Sequence, residues 1–372
     1  MGNERDVALV LSGGGINGIL MELGFLQRLR ESPFWPRVGC IVGTSAGALA
    51  GTLAALDRLD ELERFLLALQ PGDSFRPNRL WRLPLLGMHD YVLPQTIEAR
   101  VGSMTDLARE LTACPVELVA CATDMTETDR PSEGHEYELT YSSRSTPPEE
   151  LAQAILASAA VSTLVLPLRV GSRIATDGAW ARNFPLGHAY NRPEVEAIVA
   201  FRFLPQYPRV DLAGLRTLRK RLERFRRVPP IRNLILELRE AEAREERGEP
   251  PHYVDMIRRL LRVAVFRGTA LEERLADEKD DSIRALAQLR ADVAALLPDP
   301  ELARAVDECF AAALFPFRGN RLVPRITVRA SAGELGLEGS FRGRDPWAED
   351  AKRALILRGW ELTDAELAAS GV

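Results

Sequence analysis

The uncharged segment Val38–Leu56 constrains this fold more than any other part of the chain. It divides into an apolar strand, Cys40-Ile41-Val42, a pentapeptide, Gly43-Thr44-Ser45-Ala46-Gly47, and a helix of small residues. A strand that enters a helix through Gly-x-Ser-x-Gly holds the serine in strained backbone and lifts its Oγ above the sheet. Gly43 and Gly47 let neighbouring chain approach without a Cβ clash. The same stretch could span a bilayer, and Gly39, Gly43, Gly47 and Gly51 recur at the four-residue spacing of packed membrane helices. The reading as strand, turn and core helix explains both features without a membrane and is preferred. Leu151–Leu168, also uncharged, reads as core helix, loop and strand.

Upstream, Val7-Ala8-Leu9-Val10-Leu11 is an apolar run of strand length, as in parallel strands covered on both faces. Ser12-Gly13-Gly14-Gly15-Ile16-Asn17-Gly18 follows, and helical spacing of Ile19, Leu23 and Leu26 continues from it, with Arg28 and Arg30 near the end. Glycine-rich backbone at a helix start offers several N–H donors to one anionic oxygen. In acyl transfer that oxygen belongs to the tetrahedral intermediate, so Gly13, Gly14 and Gly15 are oxyanion-hole candidates. The loop also fits the dinucleotide fingerprint Gly-x-Gly-x-x-Gly through Gly13, Gly15 and Gly18. The next strand, however, ends in Gly43-Thr44-Ser45 where a ribose-binding acid is required.

A serine nucleophile needs a base. His89, His135, His188 and His252 are the only histidines, and none has a recognisable catalytic context. Val165–Val170 and Arg173–Thr176 read as strands joined by Gly171-Ser172, and Asp177-Gly178-Ala179 leaves the second of them. An aspartate there can face a cleft, but it serves as a base toward a hydroxyl only if partly desolvated and closely bonded. On spacing alone, the reading of Asp-Gly as an ordinary turn is preferred.

Taken in order, the glycine loop, the Gly43–Gly47 pentapeptide and Asp177-Gly178-Ala179 resemble the three blocks of patatin-like phospholipases. Val116–Asp124 is similar to that family's central strand ending in Thr-Asp. Ala157-Ser158-Ala159-Ala160 is similar to its helix before the acyl-site loop, and Asn183-Phe184-Pro185 to its Asn-x-Pro. The likeness spans roughly residues 5–204 and, more faintly, Leu337–Gly359. It implies a three-layer α/β/α core with a mostly parallel sheet, and a Ser45/Asp177 dyad that cleaves acyl esters of lipids through an acyl-enzyme. It also implies supporting glycines at Gly43, Gly47 and Gly178, and no metal or organic cofactor. The chain departs from the family pattern at Asn17, where a cation is usual, at Val161-Ser162-Thr163, which lacks the usual proline, and at Ala179. Two other readings stay open: a Ser-His-acid esterase, and a silent lipid-binding protein that retains the turn.

The core is expected over 1–204, a helical insertion over 205–320, and a return to the core over 321–372. Pro205–Arg318 is charge-dense and punctuated by prolines, with a disorder candidate near Glu245, and Leu322–Val328 reads as an edge strand followed by a helix. Within the insertion, Leu212, Leu215, Leu218, Leu222 and Phe225 share a face beside many arginines, the form of an interfacial helix, although a solvated helix packed on the core is preferred. Met256, Ile257, Leu260, Leu261, Val263, Ala264 and Phe266 form a second apolar face, read as core packing. Expected partners are a lipid substrate and, as a candidate, a peripheral membrane surface. A formal net charge of −5 gives no support for nucleic acid, and assembly is left open. Four scattered cysteines without metal-ligand spacing read as small core residues of a reducing compartment, and a charged start with no visible signal peptide leads to a cytoplasmic or peripheral expectation.

Overall fold

The computed structural model describes residues 5–78, 89–126, 137–162, 164–204, 216, 219–220, 222–248, 253–297, 299–312, 322–333 and 347–371. Its centre is an eight-stranded sheet of order β10-β9-β1-β2-β5-β8-β7, with β6 also on β5. β1 (Val7–Leu11), β2 (Val38–Thr44), β5 (Glu117–Asp124), β9 (Ala197–Phe203) and β10 (Arg325–Ala330) run parallel. β6 (Glu138–Ser142) and β8 (Arg173–Asp177) run antiparallel to β5, and β7 (Leu168–Val170) pairs with β8 as a hairpin. A small antiparallel pair, β3 (Phe75–Pro77) and β4 (His89–Tyr91), stands apart.

Continuous apolar runs form the central strands because both faces are covered. Leu9 and Leu11 point to one layer, which includes α1 (Gly15–Arg30), α2 (Ala46–Ala55) and the C-terminal helix Glu349–Ala369. Ala8 and Val10 point to the other, where Phe184, Leu186 and Tyr190 pack with Ala276 of the long helix Tyr253–Leu296. This is the α/β/α arrangement. The proline-marked strand is an edge strand whose register pairs begin at Arg325; Pro324, with no N–H to give, joins only by accepting the Ile198 N–H at its carbonyl at 2.9 Å.

Within 205–320 the described residues differ from expectation at two points. The stretch near Glu245 is helical, within Pro229–Glu246, and Met256, Leu260 and Val263 are exposed rather than packed. The sequence pattern marks an apolar face without saying whether anything covers it. Most of the face Leu212–Phe225 lies outside the described residues. Cys40 and Cys121 are buried, whereas Cys309 is exposed. Among the described residues no helix is long and apolar enough to cross a membrane, and Val38–Leu56 is divided between β2 and α2.

Glu22 of α1 is wholly buried, neither carboxyl oxygen has a hydrogen-bond partner, and burial raises its pKa well above 4.5. A folded-state pKa above the unfolded value means stability that is present below pH 4.5 and lost as pH rises through the folded pKa. Glu22→Met is therefore expected to raise Tm, with the gain over the parent widening from pH 4.5 upward in thermal melts. A gain that does not change with pH would contradict the assignment.

Candidate active site

Register brings the candidates together. Thr44 pairs with Cys121 and Ala122 pairs with Asp177, so the residue after Thr44 lies level with Asp177 on the opposite side of β5. Ser45 caps α2 with φ 54° and ψ −117°, a left-handed strain that costs a non-glycine residue roughly 1–3 kcal/mol. Its Oγ donates to Asp177 Oδ2 at 2.7 Å. Both residues are buried, Ser45 8% and Asp177 3% exposed.

The carboxylate is firmly held. Asp177 Oδ1 accepts the Ala179 N–H at 2.8 Å, and the Asp177 carbonyl accepts the Thr123 hydroxyl at 2.7 Å. Thr123 Oγ1 in turn accepts the Ala181 N–H at 3.1 Å. Burial pushes the Asp177 pKa up to about 6, against the opposing pull of the Ala179 amide and the Ser45 hydroxyl. A carboxylate so raised is a better base than one of ordinary pKa.

Ser158 secures the elbow from below. Its Oγ accepts the Ser45 N–H at 2.8 Å and donates to the Cys121 carbonyl at 2.6 Å. Gly43, Gly47 and Gly178 all stand where a Cβ would strike neighbouring backbone, that of Gly47, Leu11 and Cys121 respectively.

The glycine loop follows β1 beside the elbow, with a Cβ built on Gly13 lying 3.2 Å from Ser45 Cβ. Gly15, at φ 57°, turns the chain into α1. Here the expectation for one residue is corrected: the Gly13 N–H donates to the Asn183 carbonyl at 3.0 Å and is unavailable to an oxyanion. Gly13 instead permits close approach, since a side chain there would strike Asn183 Oδ1. Gly14 and Gly15 amides have no protein acceptor among the described residues. Asn17 is buried within α1.

Phe75, Tyr91 and Thr269 belong to no motif read in the sequence. Tyr91, partly buried, with its hydroxyl donating 2.9 Å to the Leu156 carbonyl, lies close enough to Asp177 for the carboxylate to help raise its pKa, after burial. Phe75 stacks on Tyr91 at 5.9 Å, and the His89 N–H donates to the Leu164 carbonyl at 2.8 Å, which ties β4 to the loop after the helix Pro148–Ser158. Asn183 Nδ2 donates to Thr269 Oγ1 at 3.1 Å, joining the glycine loop's acceptor to the long helix. Only the aromatic residue types of β4 hint at this wall; its position depends on a contact across the chain.

Neither described histidine bonds to Ser45: the His188 ring meets Glu138 at 2.8 Å, and His135 and His252 lie outside the described residues. Cys121, Glu138 and His188 bring potential metal-ligand atoms within 4.8 Å of one another. Glu138 is also held by Arg182 at 3.0 Å, and burial pushes the Cys121 thiol far up, away from the thiolate a metal prefers. The geometry thus reads as an ion-pair node on the support of the site.

Residues 9–190 match the family model described as patatin-like phospholipase. A stretch of 68 residues is 40% identical to triacylglycerol lipase ptl3 of Schizosaccharomyces pombe, covering 18% of this chain and only 14% of that lipase. Among solved structures, VipD from Legionella pneumophila is similar at 14% identity and a TM-score of 0.40, over 98% of this chain and 67% of that one. The ExoU-SpcU heterodimer of the Pseudomonas aeruginosa type III secretion system is similar at 17% identity and a TM-score of 0.25, over 84% and 67%.

Proposed function

We propose that this chain, whose residues 9–190 belong to the patatin-like phospholipase family, is a lipid acyl hydrolase that works through a Ser45–Asp177 dyad. The observation that carries the reading is the 2.7 Å hydrogen bond from a strained, buried serine to a carboxylate whose pKa is pushed up to about 6. Ser45 Oγ attacks the ester carbonyl as its proton passes to Asp177 Oδ2. The developing oxyanion is met by the amides of Gly14 and Gly15 at the start of α1, where the helix dipole adds positive potential. Protonated Asp177 then delivers the proton to the leaving alkoxide. In deacylation the regenerated carboxylate takes a proton from water as the hydroxide so formed attacks the acyl carbonyl; the bond to Ser45 Oγ then breaks, Asp177 returns the proton to that oxygen, and the fatty acid leaves.

Residues 1–204 and 321–372 form the catalytic core in this reading, and 205–320 form a helical insertion. Pairing of β10 with β9 supports the return of the chain to the core. Phospholipids and lysophospholipids are the proposed substrates, with Phe75 and Tyr91 placed to flank an acyl chain.

Fatty-acid release from dispersed phosphatidylcholine, lysophosphatidylcholine and triolein, followed across pH, tests the proposal. The base acts deprotonated, so kcat/KM is expected to rise with pH, reach half its plateau near pH 6, and stay level above it. Folded protein that releases no fatty acid at any pH and resists a fluorophosphonate probe would overturn the activity. A rate that falls through pH 6 would overturn the role of Asp177.

A further inference from the structure

Charge is unevenly divided along this chain. Residues 205–268 hold 16 Lys and Arg against 9 Asp and Glu, while the rest of the chain holds 32 against 44. An acidic body therefore carries one basic appendage. Solvating a helix needs only interspersed signs, so this segregation calls for another cause.

Ion pairs locate the excess. Arg216 pairs with Glu246, Arg219 with Glu242 at 2.7 Å, and Arg239 with Glu223 at 2.7 Å. As one partner advances along the chain the other recedes, which is the register of an antiparallel hairpin whose tip lies between Glu223 and Arg239. These pairs neutralise the legs of the hairpin. At the tip, Arg226, Arg227 and Arg232 have no acidic partner among the described residues, and every residue from Arg224 to Pro229 is exposed. Phe225 and Val228, each 45% exposed, stand among those arginines, and the Arg224 guanidinium covers the Phe225 ring at 4.7 Å.

A second apolar stripe stands on the long helix. Met256, Leu260 and Val263 follow one another at one-turn spacing on the long helix, Leu260 56% and Val263 59% exposed. That helix is anchored at Thr269 by Asn183, whose carbonyl holds the Gly13 amide. At 1.5 Å per residue the stripe lies about 9 to 20 Å along the helix from this anchor.

We propose that the hairpin tip Arg224–Arg232, aided by the Met256–Val263 stripe, docks this protein on an anionic bilayer. Lipid phosphates neutralise Arg226, Arg227 and Arg232, and Phe225 and Val228 enter the boundary between headgroups and acyl chains. Charge alone would suit any polyanion. Exposed aromatic and aliphatic groups set between the cations favour the lipid interface, where one environment satisfies both. The inference takes its purpose from the lipid-hydrolase reading, but its test does not depend on turnover.

The test uses the full chain carrying Ser45→Ala, sedimented with phosphatidylcholine vesicles prepared with or without phosphatidylglycerol. Binding is expected only with phosphatidylglycerol, and high salt should release it. Arg226→Glu with Arg227→Glu should weaken partitioning at least ~30-fold, on the basis of roughly one kilocalorie per cation at the surface. Phe225→Ser with Val228→Ser should weaken it about tenfold or more. In the Ser45 parent, neither pair of changes should alter hydrolysis of a soluble p-nitrophenyl ester, which also reports folding. Equal binding to neutral and anionic vesicles, no sedimentation, or tip variants that sediment like the parent would each overturn the docking proposal while leaving the hydrolase reading untouched. If the tip changes altered oligomer size but not vesicle binding, the face would belong to a second copy of this chain.

Discussion

Ser45→Ala is expected to lower turnover of a p-nitrophenyl ester at least ~10⁴-fold, and Asp177→Asn by a similar factor. The double variant should be no worse than either single one, because nucleophile and base act as a unit and removing one already idles the other. Stability separates this from unfolding. Asp177 titrates near 6 in the fold against 3.8 when unconstrained, so the folded state binds its proton more tightly. The associated stability is present below pH 3.8 and lost as pH rises through about 6, a loss of about 3 kcal/mol by neutral pH. Asparagine keeps the shape and still accepts the Ala179 N–H through its oxygen. Asp177→Asn should therefore melt higher than the parent at pH 8 and show little gain at pH 4, while being inactive at both. Differential scanning calorimetry at the two pH values, beside the ester assay, checks both halves. An active Asp177→Asn protein would remove the dyad from the mechanism.

Gly359→Val is expected to destabilise the fold by at least ~4 kcal/mol. The C-terminal helix crosses α1 with backbones in contact: a Cβ on Gly359 would overlap the Met21 carbonyl, and one on Gly24 would overlap the Ile356 carbonyl. Backbone atoms have no rotamer by which to yield, so the two helices must separate and uncover the layer that contains Leu355 and Ile356. Separation also reaches the chemistry, because α1 begins at Gly15 and carries the free amides at its first turn. Chemical denaturation should show the lower midpoint, and residual folded protein should have reduced kcat. Gly268→Ala is the matched control: open space surrounds that site in the long helix, and a gain of roughly 0.5–1 kcal/mol is expected. Unchanged stability in Gly359→Val would mean that the helix is not docked as described.

Gly24 and Gly359 lie far apart in sequence and outside the three motif blocks, which separates them from the glycines that can be read in advance. Gly43, Gly47 and Gly178 stand out because each borders a strand end and a turn. Gly24 and Gly359 look like weak points in two helices until the helices are seen to cross. The same division runs through the site. Gly13, Gly14 and Gly15 are indistinguishable as a sequence string, yet the Asn183 carbonyl takes the first amide and leaves the other two. Ser158 holds the Ser45 amide and Tyr91 lies beside Asp177, contacts that the residue pattern of a core helix and of a short strand does not announce.

Residue order was sufficient for the strand–elbow–helix, the glycine turn into α1 and the alternation that covers both faces of the sheet, because each depends on atoms within a turn or two of one another. The meeting of Ser45 with Asp177, 132 residues later, depends on β5 lying between their strands and on the pairing of Ala122 with Asp177. Strand order and register of that kind emerge from many weak contacts summed over the whole fold, and no local stretch of chain contains that sum.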